Sequence, residues 1–329
     1  MRLIGTFVIG TFLLSGCAST AKIAVSITHP AEINMTPYKQ IAMGEFSGSK
    51  GQEFADALKE NLVNDNSFKV VDRSQLDQIL GELKLSQSDL ADSASSRAKL
   101  GKLLGATVLL TGKNIESSYS DKTTYEDRTC TRIISQKKSE EYPCKQYTRI
   151  CGASNSGSID VVDVQSGQII KSRRLKGGYS LQTSAVDAIP ACEDRSDVEQ
   201  KALAGEVAIF LRAIKPWSET RSIAFIKDGA IPILEEGIKT AQMGDLKEAA
   251  NIFQSAAASA ETNPAVKPAS VAKAYWNLGL ALEYSGDYSQ SLAALKKAYM
   301  IKSSPKYLAE QSSVQQLQKE AGKLKEQGM

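Results

Sequence analysis

A single histidine, His29, is all the imidazole this 329-residue chain holds. It stands beside Pro30 in a stretch that reads as a tether, where a general base would be poorly held. No CxxC pair accompanies it, so the spacings that build a metal centre are missing. The chain also lacks the GxSxG turn of a nucleophile elbow and the GxxxxGK(S/T) loop that cradles phosphate, and "GASNSG" at 152–157 matches neither. The acid pairs Glu140-Glu141 and Glu235-Glu236 lie among polar neighbours and read as solvated surface. The expectation is a protein that is not an enzyme and takes no metal or cofactor.

Charge of one sign is missing as well. Forty basic residues against 37 acidic leave +3, spread along the chain. A nucleic-acid surface needs a basic stripe with aromatics interleaved, so none is expected. Past residue 16 no apolar run approaches the length of about 20 residues that spans a bilayer. The length is enough for two domains, each with an ordinary core.

The first apolar run carries more information. Arg2 supplies a positive charge, Leu3 to Leu14 is mostly apolar, and the small pair Ser15-Gly16 leads into Cys17. This is the layout of an export signal, too short to span a membrane. Leu14-Ser15-Gly16-Cys17 resembles the lipobox of bacterial lipoproteins, in which the thiol receives a diacylglycerol and the preceding peptide is removed. The resemblance implies a signal peptide over 1–16, lipidation at Cys17 and a lipidated tether over 17–38. Residue 18 is Ala and not Asp, so the outer membrane, on its periplasmic face, is the expected location.

Without Cys17 four cysteines remain: Cys130, Cys144, Cys151 and Cys192. An even count in an oxidising compartment reads as two disulfides. Cys130–Cys144, flanking a polar turn at 136–141, with Cys151–Cys192 is the favoured pairing, and a Cys130–Cys151 bridge is nearly as easy.

Along the chain the apolar pattern alternates. "KQIAMGEFSG" (39–48) reads as a strand, and "EFADALKENLVN" places Phe54, Leu58 and Leu62 on one helical stripe. "FKVVDRS" (68–74) is a second strand, with Asp72 or Ser74 to cap a helix carrying Leu76, Ile79, Leu80 and Leu83. A further helix closes at Gly105, and "TVLLTGKN" follows as a third strand. The order β, α, β, α, α, β predicts an α/β (α+β) domain with a mixed sheet. Residues 115–150 are polar and read as a long, disulfide-bearing hairpin. Two strands joined at Gln165-Ser166-Gly167 come next, then a helix that Pro216 stops.

"FKVVDRSQLDQILGELKLSQSDLADSASSRAKLGKLLGATVLLTGKN" (68–114) resembles the curli-secretion channel (CsgG/HfaB) family. The resemblance extends over 39–217 in the order of elements. Sibling families with this domain include periplasmic lipoproteins that activate penicillin-binding proteins, so the fold does not fix the function. Gly101 and Gly105 read as packing and C-cap residues and not as parts of a site. In the channels, two hairpins per subunit cross the membrane, with apolar and polar residues alternating. Here Asp121, Glu126, Asp127, Arg128, Arg132, Lys137 and Lys138 fall on both parities. The hairpin is therefore expected in the periplasm. The second candidate, "RRLKGGYSLQTSAVDAIPACED", is short and holds Pro190.

From 225 to 329 the chain turns alanine-rich and helical. "YWNLGLALEYSGDYSQSLAALKKAYMI" (275–301) resembles a tetratricopeptide repeat (TPR), with Leu278, Gly279, Gly286, Asp287, Tyr288, Leu295 and Ala298 at packing and turn positions. An earlier copy at 237–260 aligns Gly237, Gly244, Asp245 and Ala256 with Gly279, Gly286, Asp287 and Ala298, at an offset of 42 residues. The resemblance implies an all-α, TPR-like domain that binds an extended peptide or helix. "FIKDGAIPILEEG" before the stack and the segment from Pro305 after it are expected to be capping helices.

These observations point to an outer-membrane-anchored periplasmic lipoprotein, a non-catalytic assembly or accessory factor for envelope or surface-protein export. Its partners would be proteins of the periplasm or outer membrane, a lipid bilayer through the anchor, and further copies of itself. Two alternatives stay open: a curli-like oligomeric secretion channel, and an activator of penicillin-binding proteins.

Overall fold

A computed structural model of the chain describes residues 19–38, 40–65, 68–104, 107–136 and 138–329, apart from the side chains at 87, 91, 92 and 104. The elements run β1 (Thr20–His29), β2 (Gln40–Phe46), α1 (Gly51–Asn64), β3 (Lys69–Val71), α2 (Arg73–Glu82), α3 (Gln87–Asp92), α4 (Ala94–Leu104), β4 (Thr107–Ser135) and β5 (Lys138–Asp163). They continue with β6 (Gln168–Arg174), β7 (Gly178–Val186), α5 (Arg195–Ile214), β8 (Trp217–Ile226) and α6 (Leu234–Gln242). The last four are α7 (Leu246–Thr262), α8 (Pro268–Tyr284), α9 (Tyr288–Ile301) and α10 (Pro305–Glu326). The chain forms two compact units, one of Ala31–Pro216, the other combining the segment that ends at Pro30 with Trp217 onward.

In the first unit a mixed sheet has the order β3-β2-β4-β5-β6, with β7 also on β5. β2 is parallel to β3 and β4, while β4, β5, β6 and β7 pair antiparallel. The period-2 pattern sends side chains to two different cores. Ile41, Met43, Val108, Leu110, Ile159 and Val161 pack with Phe54, Leu58 and Leu62 of α1 and with α5. Ala42, Leu109, Val162 and Val164 face Leu76, Leu80, Leu90 and Leu100 of the α2–α4 layer. A strand between two helical layers must be apolar on both faces, which is why these segments read as short unbroken apolar runs.

Local chemistry fixes the ends. Asp72 caps α2, accepting from the Gln75 N–H at 3.0 Å, and the Gln75 side chain returns to the Asp72 N–H. The β5–β6 turn closes at Gly167, at φ 70°, whose carbonyl accepts from the buried Arg97 guanidinium at 2.8 Å. Gly101 packs as expected, since a Cβ there would lie 2.4 Å from the Val164 carbonyl oxygen. Gly105 lies outside the described residues.

Three expectations need correction. Residues 17–38 are not a tether throughout: Thr20–His29 is a strand paired antiparallel with all of β8, from Thr20 opposite Ile226 to His29 opposite Trp217. Ala31, Ile33 and Met35 then alternate into the core of the first unit, and the Ile33 N–H donates to the Ala213 carbonyl. "FIKDGAIPILEEG" is not a single capping helix; Phe225 and Ile226 end β8, and the helix starts only at Leu234, after Pro232. The strand expected over 68–74 is limited to Lys69–Val71, because Asp72 already serves as a helix cap.

In the second unit the β1–β8 ribbon accompanies a stack of antiparallel helices, α6 to α10, with one core from Phe225 and Phe253 to Trp276, Leu295 and Val314. This is the helical C-terminal region that the composition anticipates.

Candidate functional site

β4 pairs with β2 only as far as Gly112, and beyond the buried Ile115 it leaves the core with β5 as a long hairpin. At about 3.3 Å per residue, the part from Glu116 to Ser135 reaches about 60 Å. β7 lies along the other edge of β5 from Gln146 to Ser154, making the proximal arm three strands wide. The arm is stapled twice. Cys130 and Cys144 sit near the tip with Cα atoms 5.8 Å apart, and Cys151 is bonded to Cys192 with Cα atoms 6.5 Å apart. β4 ends at Ser135 and β5 begins at Lys138, so Glu140 and Glu141 belong to β5, opposite Arg132 and Thr131.

The register defines two faces. One carries Tyr119, Ala153 and Tyr179 at its base, where Val198 and Ala202 of α5 cover it. Arg195 lies over the Tyr119 ring at 5.4 Å and Lys201 over Tyr179 at 5.2 Å. Further out this face bears the Asp121–Arg149 pair, with both guanidinium bonds made, at 2.9 and 2.6 Å. The hydrogen bonds from Arg149 hold the Asp121 carboxyl below its ordinary range. The opposite face is small and polar: Ser118 beside Ser154, Ser120 beside Gly152 and Ser180, and Thr124 beside Thr148 and Ser184. Lys122, Glu126, Arg128 and Arg132 continue it toward the tip. Charges therefore stand on both faces. At the tip Ile133 is 83% exposed, with Ile134 beside it.

In the second unit the anticipated packing residues come together. A Cβ on Gly279 would lie 2.6 Å from the Leu295 side chain, and one on Gly237 would lie 2.5 Å from the Phe253 ring. Ser291 donates to the Gly279 carbonyl across the same contact at 2.8 Å. Gly244 and Gly286 both turn the chain at φ near +90°, and Asp245 and Asp287 follow as N-caps, accepting from the N–H groups of Glu248 and Gln290. Ala256, Leu278, Leu295 and Ala298 are buried and Tyr288 is half-buried. The α6–α7 and α8–α9 hairpins thus repeat the same devices. A groove of about 280 Å³ opens along α7, α8 and α9, where Glu261 accepts from Tyr275 Oη at 2.7 Å and from Lys297 Nζ at 2.6 Å. Lys297 holds the Glu261 carboxyl below its usual range, and burial raises the Tyr275 phenol.

His29 is better held than its place beside Pro30 suggests. It stacks on Trp217 at 4.4 Å, with Nδ1 2.7 Å from Glu320 and Nε2 3.4 Å from Glu219. Glu140 pairs with Arg132, and Glu235 and Glu236 open α6 in solvent, as their surroundings suggested. Sequence reasoning missed Asn277 and Glu283, polar residues fully buried in α8. Their signal was their position on an otherwise apolar stretch. Cys17 lies outside the described residues. Among the described residues no helix is long and apolar enough to cross a membrane.

Several solved structures align with this chain. The LpoB C-terminal domain from Salmonella enterica is 17% identical over 42% of this chain and 82% of that one, with a TM-score of 0.24. Lipoprotein GNA1162 from Neisseria meningitidis is 12% identical over 52% and 96%, with a TM-score of 0.25. The PelC dodecamer from Paraburkholderia phytofirmans is 11% identical over 57% and 96%, with a TM-score of 0.24. No curated protein matches the chain. The family of the curli production assembly/transport component CsgG matches residues 14–123, about a third of the chain, from before β1 to the proximal part of β4.

Proposed function

We propose that this chain is a lipid-anchored accessory factor of Gram-negative envelope or surface-protein export, acting by tethering and capture and not by catalysis. Lipidation at Cys17 would hold it to the outer membrane on the periplasmic side, and the TPR-like helical unit would bind a protein segment. The CsgG match over 14–123 supports the export setting. The observation that carries the accessory role is the charge on both faces of the arm. A strand in lipid needs one apolar face, and a charge at mid-bilayer costs about 2–4 kcal/mol. Lys122, Arg128 and Arg132 on one face, with Asp121, Asp127 and Arg149 on the other, leave neither face apolar. Confinement at one membrane raises effective concentration, so modest contacts suffice.

One observation favours the second reading, a ring-forming secretion channel. Among the described residues no strand covers the outer edge of β4 from Glu116 outward, of β7, or of β5 before Gln146, and open edges are templates for pairing. The native mass of the lipidated protein in mild detergent, with conductance after reconstitution, separates the two. A small species without conductance is expected. A large conducting ring would overturn the accessory reading.

A further inference from the structure

Glu283, in the last turn of α8, is the most buried charged side chain among the described residues, at 1% exposure. One carboxyl oxygen accepts from Ser313 Oγ at 3.2 Å, Oε2 is buried with no donor from the protein, and the Glu310 carboxyl stands within hydrogen-bonding reach. The carboxyl lines a cavity of about 290 Å³ bounded by β1, the α8–α9 turn and α10. Ile27, Leu317, Ala321 and Leu324 make its apolar walls, and exposed Ser26 and Gly286 open its rim to solvent.

We propose that this cavity binds an alkylammonium group, with the ammonium on Glu283 Oε2 and the aliphatic stem along Ile27, Leu317 and Leu324. Once ionised, a buried carboxylate beside a second acid is costly without donors, and an ammonium supplies them. The end of α8 adds its own attraction, since carbonyls at a helix C-terminus carry partial negative charge that favours cations. A guanidinium fork needs two free carboxylate oxygens, and Ser313 occupies one. A divalent metal ion is disfavoured by the donor set, because the described residues offer no group of three or more His, Cys, Asp or Glu side chains. Arg221, a cation near the carboxyl, is held by Glu219 at 2.9 Å. The site stands on this cavity alone and does not depend on the accessory reading.

Binding carries a proton signature. Burial, with Glu310 beside it, raises Glu283 to about 9, while Ser313 and Arg221 act in the opposite direction. Tyr284 and Tyr288, the other titratable groups facing it from α8 and α9, are also raised by burial and stay neutral near pH 7. The carboxylic acid therefore gives up its proton to solvent as the ammonium docks, and the ion pair replaces the O–H bond.

The test is calorimetric titration of the full chain with N-acetyl-lysine methylamide and, separately, cadaverine, in buffers of different ionisation enthalpy. We expect saturable binding with about one proton released per ligand near pH 7, and affinity rising up to about tenfold per pH unit until it levels near pH 9. Glu283→Gln, which keeps the neutral shape of the side chain, and Ala321→Phe, which fills the cavity from α10, should each weaken binding at least about tenfold with the thermal melt retained. Binding of the capped lysine assigns the natural guest to a polypeptide side chain; binding of cadaverine alone assigns it to a free amine. Absence of binding by both probes, equal binding by Glu283→Gln, or binding without proton release overturns the proposal.

Discussion

The side-chain amide of Asn277 closes a ring on the backbone of Ile226: the Ile226 N–H donates to Oδ1 and Nδ2 donates to the Ile226 carbonyl, both at 2.9 Å. Asn277 is fully buried, so this pair fastens the end of β8 to α8 inside the core of the helical unit. Asn277→Ala strands two buried backbone groups and is expected to cost about 2–4 kcal/mol. Denaturant unfolding of the full chain should show it as a lower midpoint for the transition of that unit. Asn277→Asp should be at least as harmful, because a carboxylate faces the Ile226 carbonyl with no donor to offer.

Two glycines on helices should respond oppositely to the same substitution. Gly279→Ala forces a methyl group to within 2.6 Å of Leu295, in a core where overpacking costs about 1–3 kcal/mol. Gly322, within α10, has nothing within 4 Å of a Cβ, so Gly322→Ala should gain up to about 1 kcal/mol from helix propensity alone. Thermal melts of the two variants against the parent give the signs directly.

The parts of the fold that were legible in the sequence are those whose information is local. The stripe of Phe54, Leu58 and Leu62, the cap at Asp72 and the turn at Gly167 each lie within a few residues of what they determine. The glycine and aspartate devices at 244–245 and 286–287 declare two helical hairpins for the same reason. The β1–β8 ribbon escaped because Ile23 and its partner Ile223 are separated by the whole of the first unit, and "KIAVSITH" alone carries too little pattern to announce a partner so distant. Ala31, Ile33 and Met35 do alternate, and that period-2 signal could have moved them from the tether into the core. Glu283 sits on the apolar stretch of α8, but that signal is weak, because an acidic residue on a helix is solvated in most contexts and only tertiary packing by α10 buries this one.

The two disulfides should prove unequal. Cys130 and Cys144 close a short loop near the tip of an exposed arm, so replacing both with Ser should leave the melt of the core nearly unchanged and speed proteolysis of the distal arm. Cys151 is fully buried, and its bond to Cys192 closes a 41-residue separation worth up to about 4 kcal/mol by chain entropy. Cys151→Ala with Cys192→Ala should therefore lower the melt of the first unit. Equal effects of the two double variants on the melt would show that the distal arm is part of the same cooperative unit.

Glu283 sets a pH dependence with a definite sign. Its carboxyl is raised from 4.5 to about 9 by burial and by Glu310, so between those values the folded chain holds a proton that the unfolded chain has lost. Stability is then fully present below about pH 4.5, declines as pH rises, and levels once pH passes the folded value near 9. A difference of one proton gives a slope of about 1.4 kcal/mol per pH unit at most. Tyr284, raised to about 12, adds no change in this window. Glu283→Gln cannot titrate, so the variant should lose this slope for the helical unit and be more stable than the parent at pH 8. Urea midpoints measured from pH 5 to pH 9 on both chains check it; parallel curves would mean that Glu283 is ionised in the folded state and that water or a cation reaches its free oxygen.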